Sequence, residues 1–137
     1  MNIQQSNKTI NDKELSSVFS NYPQIAAVYL FGSYAKGNQK KKSDIDLAIT
    51  GRDLNEELKL SLLTDLAKHG YCNVDLIFLD KVDLVTRYEA VYLNKIIYST
   101  PGYDHGSFYS KIIRQYFDFY PFLEIQRAAY KNRLLNG

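Results

Sequence analysis

The chain has 137 residues, 45% of them hydrophobic and 23% charged, which suits a single globular domain and excludes a disordered chain. The net charge of +2 is too small to indicate nucleic-acid binding, and the single cysteine excludes an internal disulfide or a multi-cysteine metal site. No apolar run approaches the roughly 20 residues of a membrane span, so we expect no membrane partner. The single cysteine makes a reducing cytoplasm the simplest setting, and the weak charge leads us to expect no direct nucleic-acid partner.

The first part of the chain predicts a helix followed by a strand. Residues 1–10 are mostly polar and are expected to be loose. Asn11, with Glu14 three residues later, is typical of a helix start. This helix should end before Pro23, because the residue before a proline disfavours the helical conformation. The apolar run Ile25–Phe31 then predicts a strand buried on both faces, although periodicity alone also fits a buried helix.

A Gly-Ser pair and two aspartates follow this strand. Gly32 and Ser33 should open a short helical turn that leads into a polar loop. After the loop, segment 44–50 alternates strictly between apolar residues on one face and the remaining residues on the other. Asp44 and Asp46 therefore lie on one face, about 7 Å apart at a rise of roughly 3.3 Å per residue.

The remaining core elements predict an α/β fold. In chain order, the patterns predict helix 54–68, strand 73–79, helix 82–94 and strand 95–99. Asp75 is the only charged residue in its strand. The order of elements indicates an α/β (α+β), two-layer fold with a mixed sheet of about four strands and flanking helices.

The C-terminal part of the chain predicts a helical extension. After a turn at Pro101, apolar and aromatic residues recur in steps of three and four. Pro121 interrupts this stripe, so we expect a kink or two consecutive helices. We divide the chain into a core over residues 1–100 and a C-terminal helical extension over residues 101–137, packed on the same domain. The aromatic stripe fits either a core face or a docking face for a partner.

The residue types of the central stretch suit a nucleotide and its metal. Backbone N–H groups at a helix start and the Ser33 hydroxyl suit a phosphate, and Gly32 permits its close approach. Asp44 and Asp46 suit a divalent cation, since magnesium commonly takes one or two protein carboxylates with phosphate oxygens and water. Asp75 could complete the set and accept a proton from an attacking hydroxyl. Each feature alone also fits an ordinary turn or a solvated strand face, but their combination favours a nucleotide site.

Four lysines lie near this stretch. Lys36, one turn beyond Ser33, fits either a contact with the γ-phosphate or a solvated position. The run Lys40–Lys42 fits either a patch that screens a triphosphate or an acidic partner surface, or a solvated loop. The sequence leaves both roles open.

The segment Gly32–Asp46, with the pattern G-S-x10-D-x-D, resembles the signature of the DNA polymerase β-like nucleotidyltransferase superfamily. The letters GSYAKG and SDIDL are similar to the minimal nucleotidyltransferase (MNT) family, which usually carries arginine where this chain has Lys36. The resemblance covers roughly residues 25–98. The tail from Phe108 to Arg133 is similar to that of the MntA-type antitoxins, the MNT halves of HEPN–MNT (type VII) toxin–antitoxin pairs.

The resemblance implies an enzyme that transfers AMP from ATP to a tyrosine hydroxyl of a HEPN ribonuclease toxin, with Mg²⁺ as cofactor and pyrophosphate as product. It implies that Gly32 and Ser33 hold the triphosphate. It also implies that Asp44, Asp46 and Asp75 form the catalytic and metal-binding set, with Asp75 as the base. Two alternatives stay open: transfer to a small-molecule hydroxyl, as in antibiotic nucleotidyltransferases, and a non-catalytic module that neutralises a toxin by contact.

Overall fold

The computed structural model describes residues 7–40 and 42–136, which form a four-stranded sheet with helices on both faces. The helices are α1 (Asp12–Ser20), α2 (Gly32–Lys36), α3 (Glu56–Lys68), α4 (Leu84–Val91) and α5 (His105–Asn136). The strands are β1 (Ile25–Phe31), β2 (Ile45–Gly51), β3 (Val74–Phe78) and β4 (Ile96–Ser99). A 3-10 helical turn, Leu79–Lys81, links β3 to α4. Residues 1–6, which belong to the segment expected to be loose, lie outside the described residues.

The strands are arranged in the order β3-β2-β1-β4. β1 is antiparallel to both of its neighbours, whereas β2 and β3 run parallel. The α/β class, the mixed sheet of four strands and the C-terminal helix are therefore confirmed.

One face of the sheet packs against α1 and α3. Alternate residues of β2 point to this face and are fully buried: Ile45, Leu47 and Ile49. The leucine stripe of α3 lies in the same core: Leu58, Leu62 and Leu66. The start of α3 is fixed by the side chain of Asn55, which accepts a hydrogen bond of 2.8 Å from the backbone N–H of Leu58. This core holds β2 in one orientation.

The opposite face packs against α4 and the first half of α5. Its strand residues include Ala27, Tyr29 and Ala48, which contact Val91 of α4 and Ile112 of α5 within one cluster of buried side chains. Helices thus flank the sheet on both sides, in agreement with the predicted flanking helices. Both faces of the central strands are apolar, so each face needs a cover.

The N-terminal segment is attached to the domain from residue 7 onward. The backbone N–H of Lys8 donates to the carbonyl of Gly70 at 3.2 Å. The prediction of a loose segment is therefore wrong for residues 7–10. Asn11 caps α1 as expected, accepting a hydrogen bond of 3.2 Å from the N–H of Glu14. In the part of the chain that the structure describes, no helix is both long and apolar enough to cross a membrane.

The C-terminal helix runs through Pro121 as one continuous element of 32 residues, so the expectation of two consecutive helices is wrong. Pro121 is exposed, and water can therefore bind the carbonyl one turn earlier, which lacks the usual N–H donor. A kink stays a prediction, as does the domain division at residue 100. From residue 124 to residue 135 every side chain is exposed, so this half of α5 extends away from the core.

Replacing Leu62 by alanine should lower the free energy of unfolding by about 2–5 kcal/mol, because the change leaves a cavity in the core beneath the sheet. Leu60→Ala on the same helix is the matched control, since Leu60 is 67% exposed, and it should change stability by about 0.5 kcal/mol or less. Urea unfolding of both variants measures the difference. Equal losses for the two leucines would contradict the described packing of α3.

Candidate active site

The junction of β1 and α2 depends on the glycine at position 32. Gly32 has a φ of +70°, a left-handed conformation that residues with a Cβ atom rarely adopt. A Cβ built on Gly32 would also lie 2.0 Å from Oδ2 of Asp46, which is too close for any real contact. The chain therefore turns from strand to helix directly against the Asp46 carboxylate, and Ser33 follows as the second residue of α2.

Two of the predicted carboxylates are neighbours in the sheet. Asp46 of β2 is the register partner of Asp75 of β3, and because the strands are parallel both side chains leave the same face. On its other side Asp46 is paired with Phe31, the residue before Gly32. The sheet thus brings Gly32, Asp46 and Asp75 together, although they are far apart along the chain.

The third carboxylate adds to the negative charge around Asp46. Asp44 lies one residue before β2 and is exposed, as is Asp75, whereas Asp46 is partly buried. Burial, followed by the charges of Asp75 and Asp44, raises the pKa of Asp46 to about 6. Neither of the ion pairs found among the described residues involves these carboxylates. Among the described residues, the site is therefore a negative cluster that no ion-paired lysine or arginine balances.

The carboxylates do not form a closed metal cage. Within residues 7–40 and 42–136, no group of three His, Cys, Asp or Glu side chains is arranged to hold a metal ion. Asp46 and Asp75 nevertheless offer neighbouring oxygen ligands on one face. Magnesium commonly takes only one or two protein carboxylates and completes its shell with phosphate oxygens and water. The residues present therefore fit a divalent cation that binds together with a nucleotide.

The lysines near the site point to solvent. Lys36 ends α2 and is exposed, as are Lys40 and Lys42, while Lys41 lies outside the described residues. A tight turn closes the loop before β2. In this turn the N–H of Lys40 donates to Oγ of Ser43 at 2.7 Å, and the N–H of Ser43 donates to the carbonyl of Lys40 at 3.0 Å. The phosphate contact of Lys36 and the screening role of the lysine run stay predictions.

One residue that the sequence patterns did not indicate links the two carboxylate strands. Nδ2 of Asn7 donates to the carbonyl of Asn73 at 2.9 Å and to that of Ser43 at 3.3 Å, and Oδ1 accepts from the N–H of Asn73 at 2.8 Å. Ser43 and Asn73 precede β2 and β3, so Asn7 fixes the starts of these strands relative to each other. An asparagine in a polar segment carries no periodic signal, and its role appears only in the fold.

The carboxylates lie at an open part of the surface. A groove of about 650 Å³ opens beside α2 but contains none of the predicted site residues; its walls are Asn7, Lys8, Thr9, Ile10, Leu30, Tyr34, Gln39 and Lys40. Asp44 and Asp75 are instead exposed at the starts of β2 and β3. The structure thus leaves Asp44 and Asp75 accessible to an acceptor from solvent.

The chain is similar to known proteins along most of its length. The family model described as Polymerase beta, Nucleotidyltransferase matches residues 13–102. Over 106 residues, the chain is 32% identical to Protein adenylyltransferase MntA of Shewanella oneidensis, and this match covers 77% of the chain and 76% of that protein.

Solved structures match nearly the whole chain. A chain of a toxin–antitoxin crystal structure with AMP-PNP has 29% identity and a TM-score of 0.71, covering 92% of this chain and 99% of its own length. A chain of the complex between tri-AMPylated Shewanella oneidensis HEPN toxin and MNT antitoxin has 26% identity and a TM-score of 0.64, covering 90% and 95%. With a Gly-Ser turn packed against two in-register aspartates, and a family match over residues 13–102, the chain belongs to the polymerase β nucleotidyltransferase family.

Proposed function

We propose that this chain is an antitoxin adenylyltransferase that transfers AMP from ATP to a tyrosine hydroxyl of a HEPN ribonuclease toxin and thereby silences the toxin. The observation that carries the proposal is the Asp46–Asp75 pair beside Gly32, in a chain 32% identical to a protein adenylyltransferase. The matched complexes with an ATP analogue and with an AMPylated HEPN toxin support ATP as donor and the toxin as acceptor. The reaction belongs in the cytoplasm, where ATP and magnesium are available.

The proposed binding roles follow from the geometry around Gly32. Gly32 and Ser33 hold the triphosphate, because the first turn of α2 leaves backbone N–H groups without intrahelical partners and Gly32 has no side chain in the way. Asp44, Asp46 and Asp75 would hold Mg²⁺; because these carboxylates form no closed cage, phosphate oxygens of the nucleotide and water would complete the shell of the ion. Bound magnesium would balance the negative charge of the carboxylates, the triphosphate and the leaving pyrophosphate.

The transfer step needs a base for the tyrosine hydroxyl. The tyrosine oxygen attacks the α-phosphorus of ATP, the bond from that phosphorus to the oxygen bridging the β-phosphate breaks, and pyrophosphate leaves. Asp75 accepts the hydroxyl proton, because it is exposed beside Asp46 where a side chain of another protein can reach it.

Mixing the chain with labelled ATP, magnesium and its cognate HEPN protein should place label on that protein. Asp46→Asn should lower the rate at least about a thousandfold, because it removes a metal-binding charge that stabilises the transition state by several kcal/mol. Asp80→Asn, a change at an exposed aspartate after β3, is the control and should transfer AMP normally. Intact mass spectrometry and gel autoradiography measure the product.

Three results of this experiment would contradict the proposal. The first is an intact HEPN protein that acquires no label. The second is label on a small-molecule hydroxyl in its place. The third is an Asp46→Asn variant that transfers no AMP yet neutralises the toxin as well as the wild type, which would show neutralisation by contact alone.

Gly32→Ala should reduce AMP transfer at least about tenfold, because the new methyl group would displace the Asp46 carboxylate from its position. Gly37→Ala is a close control, since Gly37 has a φ of +74° but open space around its Cβ position. Both variants should lose about 1 kcal/mol of stability from the left-handed backbone. Only Gly32→Ala should lose activity, and equal activities would contradict the proposed role of the Gly32–Asp46 contact.

The raised pKa of Asp46 predicts a pH-dependent stability of the metal-free protein. Asp46 titrates near 6 in the folded state and near 3.9 in the unfolded state, so the folded protein binds more protons between these values. The free energy of unfolding should therefore fall as pH rises from about 4 to about 6 and then level off. Asp46→Asn removes this effect and should exceed the wild type in stability by about 1–3 kcal/mol at pH 8, but not at pH 4.

Urea unfolding in EDTA at several pH values measures this difference. Magnesium should narrow the gap at pH 8, because the cation binds the wild-type carboxylates. If the free energies of unfolding of Asp46→Asn and the wild type differ by the same amount at pH 4 and pH 8, Asp46 does not titrate in this range.

A further inference from the structure

The second half of α5 exposes large apolar side chains that no other part of the described chain covers. The exposed residues of this segment are Phe117, Tyr120, Phe122, Ile125, Tyr130, Leu134 and Leu135. Ile125 and Leu134 are 66% and 67% exposed. A concentration of large, exposed apolar side chains on one segment of a globular protein points to an interaction site. We name this segment, residues 117–135, the distal helix.

The apolar side chains of the distal helix are distributed around its axis. At 3.6 residues per turn, Phe122 lies about 140° and Tyr130 about 220° around the axis from Phe117. Polar residues lie between these apolar side chains, which therefore do not form a single stripe, and a two-stranded contact with a second copy would cover only some of them. The pattern therefore favours a partner that contacts the distal helix on several sides.

The groove between α4 and the distal helix also contains an unsatisfied donor. This groove, of about 400 Å³, is lined by Leu84, Arg87, Gln115, Asp118, Phe119 and Phe122. Nε of Arg87 is buried and has no acceptor among the described residues. Buried polar groups normally have hydrogen-bond partners, so an acceptor from a bound molecule would satisfy this nitrogen.

We propose that the distal helix and the Arg87 groove form the surface that holds the HEPN toxin, separate from the carboxylate site. This inference rests on the proposed function. The toxin–antitoxin chain with AMP-PNP matches 92% of this chain, so only about 8% of 137 residues, about 11, are unmatched. Since α5 has 32 residues, the match must include part of the distal helix, and that chain was determined in a complex with the toxin.

The docking surface lies at the other end of the sheet from the carboxylates. Asp75 stands at the start of β3, whereas α4 begins at Leu84, after the end of β3. Phe119 and Phe122 of α5 share the groove with Leu84, so the distal helix leaves the core at this far end. Toxin binding and AMP transfer should therefore be separable by mutation.

The test compares two sets of variants in binding to the cognate HEPN protein. The double variant Ile125→Glu and Leu134→Glu should weaken the Kd for this protein roughly a hundredfold or more, because it places charges in the apolar contact. Leu60→Glu is the matched control, since Leu60 is an equally exposed leucine on α3, and it should bind as the wild type does. Asp46→Asn should keep full binding while losing AMP transfer.

Isothermal titration, thermal unfolding and light scattering separate the outcomes. The double variant should keep the wild-type melting temperature and its affinity for ATP with magnesium. Toxin binding with wild-type affinity by the double variant would overturn the inference. A second result would also overturn the inference: the wild type forms a homodimer, the double variant is monomeric, and toxin binding persists. In that case a second copy of the chain would cover the distal helix. If the wild-type chain forms no complex with the HEPN protein, the proposed pairing of antitoxin and toxin is wrong, and the proposed docking surface is wrong with it.

Discussion

The site depends on the parallel pairing of β2 and β3, which places the carboxylate of Asp46 beside that of Asp75. This register is fixed from the opposite face of the sheet, where Ile45, Leu47 and Ile49 are fully buried. A shift of one residue would turn the three apolar side chains to the opposite face and place Asp46 in the core under α1 and α3. Burial of the apolar face therefore holds two like charges together that would otherwise separate.

The consequence is a site whose charge is unfavourable until a cation binds. The pKa of Asp46 is raised by burial and by both neighbouring aspartates, so at neutral pH its charge opposes folding of the metal-free protein. Two local features keep the geometry despite this cost. Gly32 allows the backbone to press against the carboxylate, and Asn7 connects the residues that precede β2 and β3. The clustered carboxylates thus lower the free energy of unfolding of the metal-free protein, and the same negative oxygens can bind a metal–nucleotide complex.

Local patterns in the sequence predicted the elements that form this site, whereas non-local contacts had to come from the fold. The apolar run of β1 and the alternation after Asp44 depend on neighbouring residues, and the structure has both as predicted. The pairing of Asp46 with Asp75 depends on strand order, which a periodic pattern does not encode. The hydrogen bonds of Asn7 were missed for the same reason.

The distal helix shows where sequence patterns reach a physical limit, because a core face and a docking face follow the same rule of apolar spacing. Only exposure in the folded chain distinguishes them, and residues 124–135 are exposed throughout. A separate docking surface also accounts for the openness of the carboxylate site. A toxin bound through the distal helix would bring its tyrosine to the site at a high effective concentration. Because the distal helix would supply the binding energy that holds the toxin, the transfer site would not need a deep pocket for the tyrosine. The site could then remain open to a protein side chain.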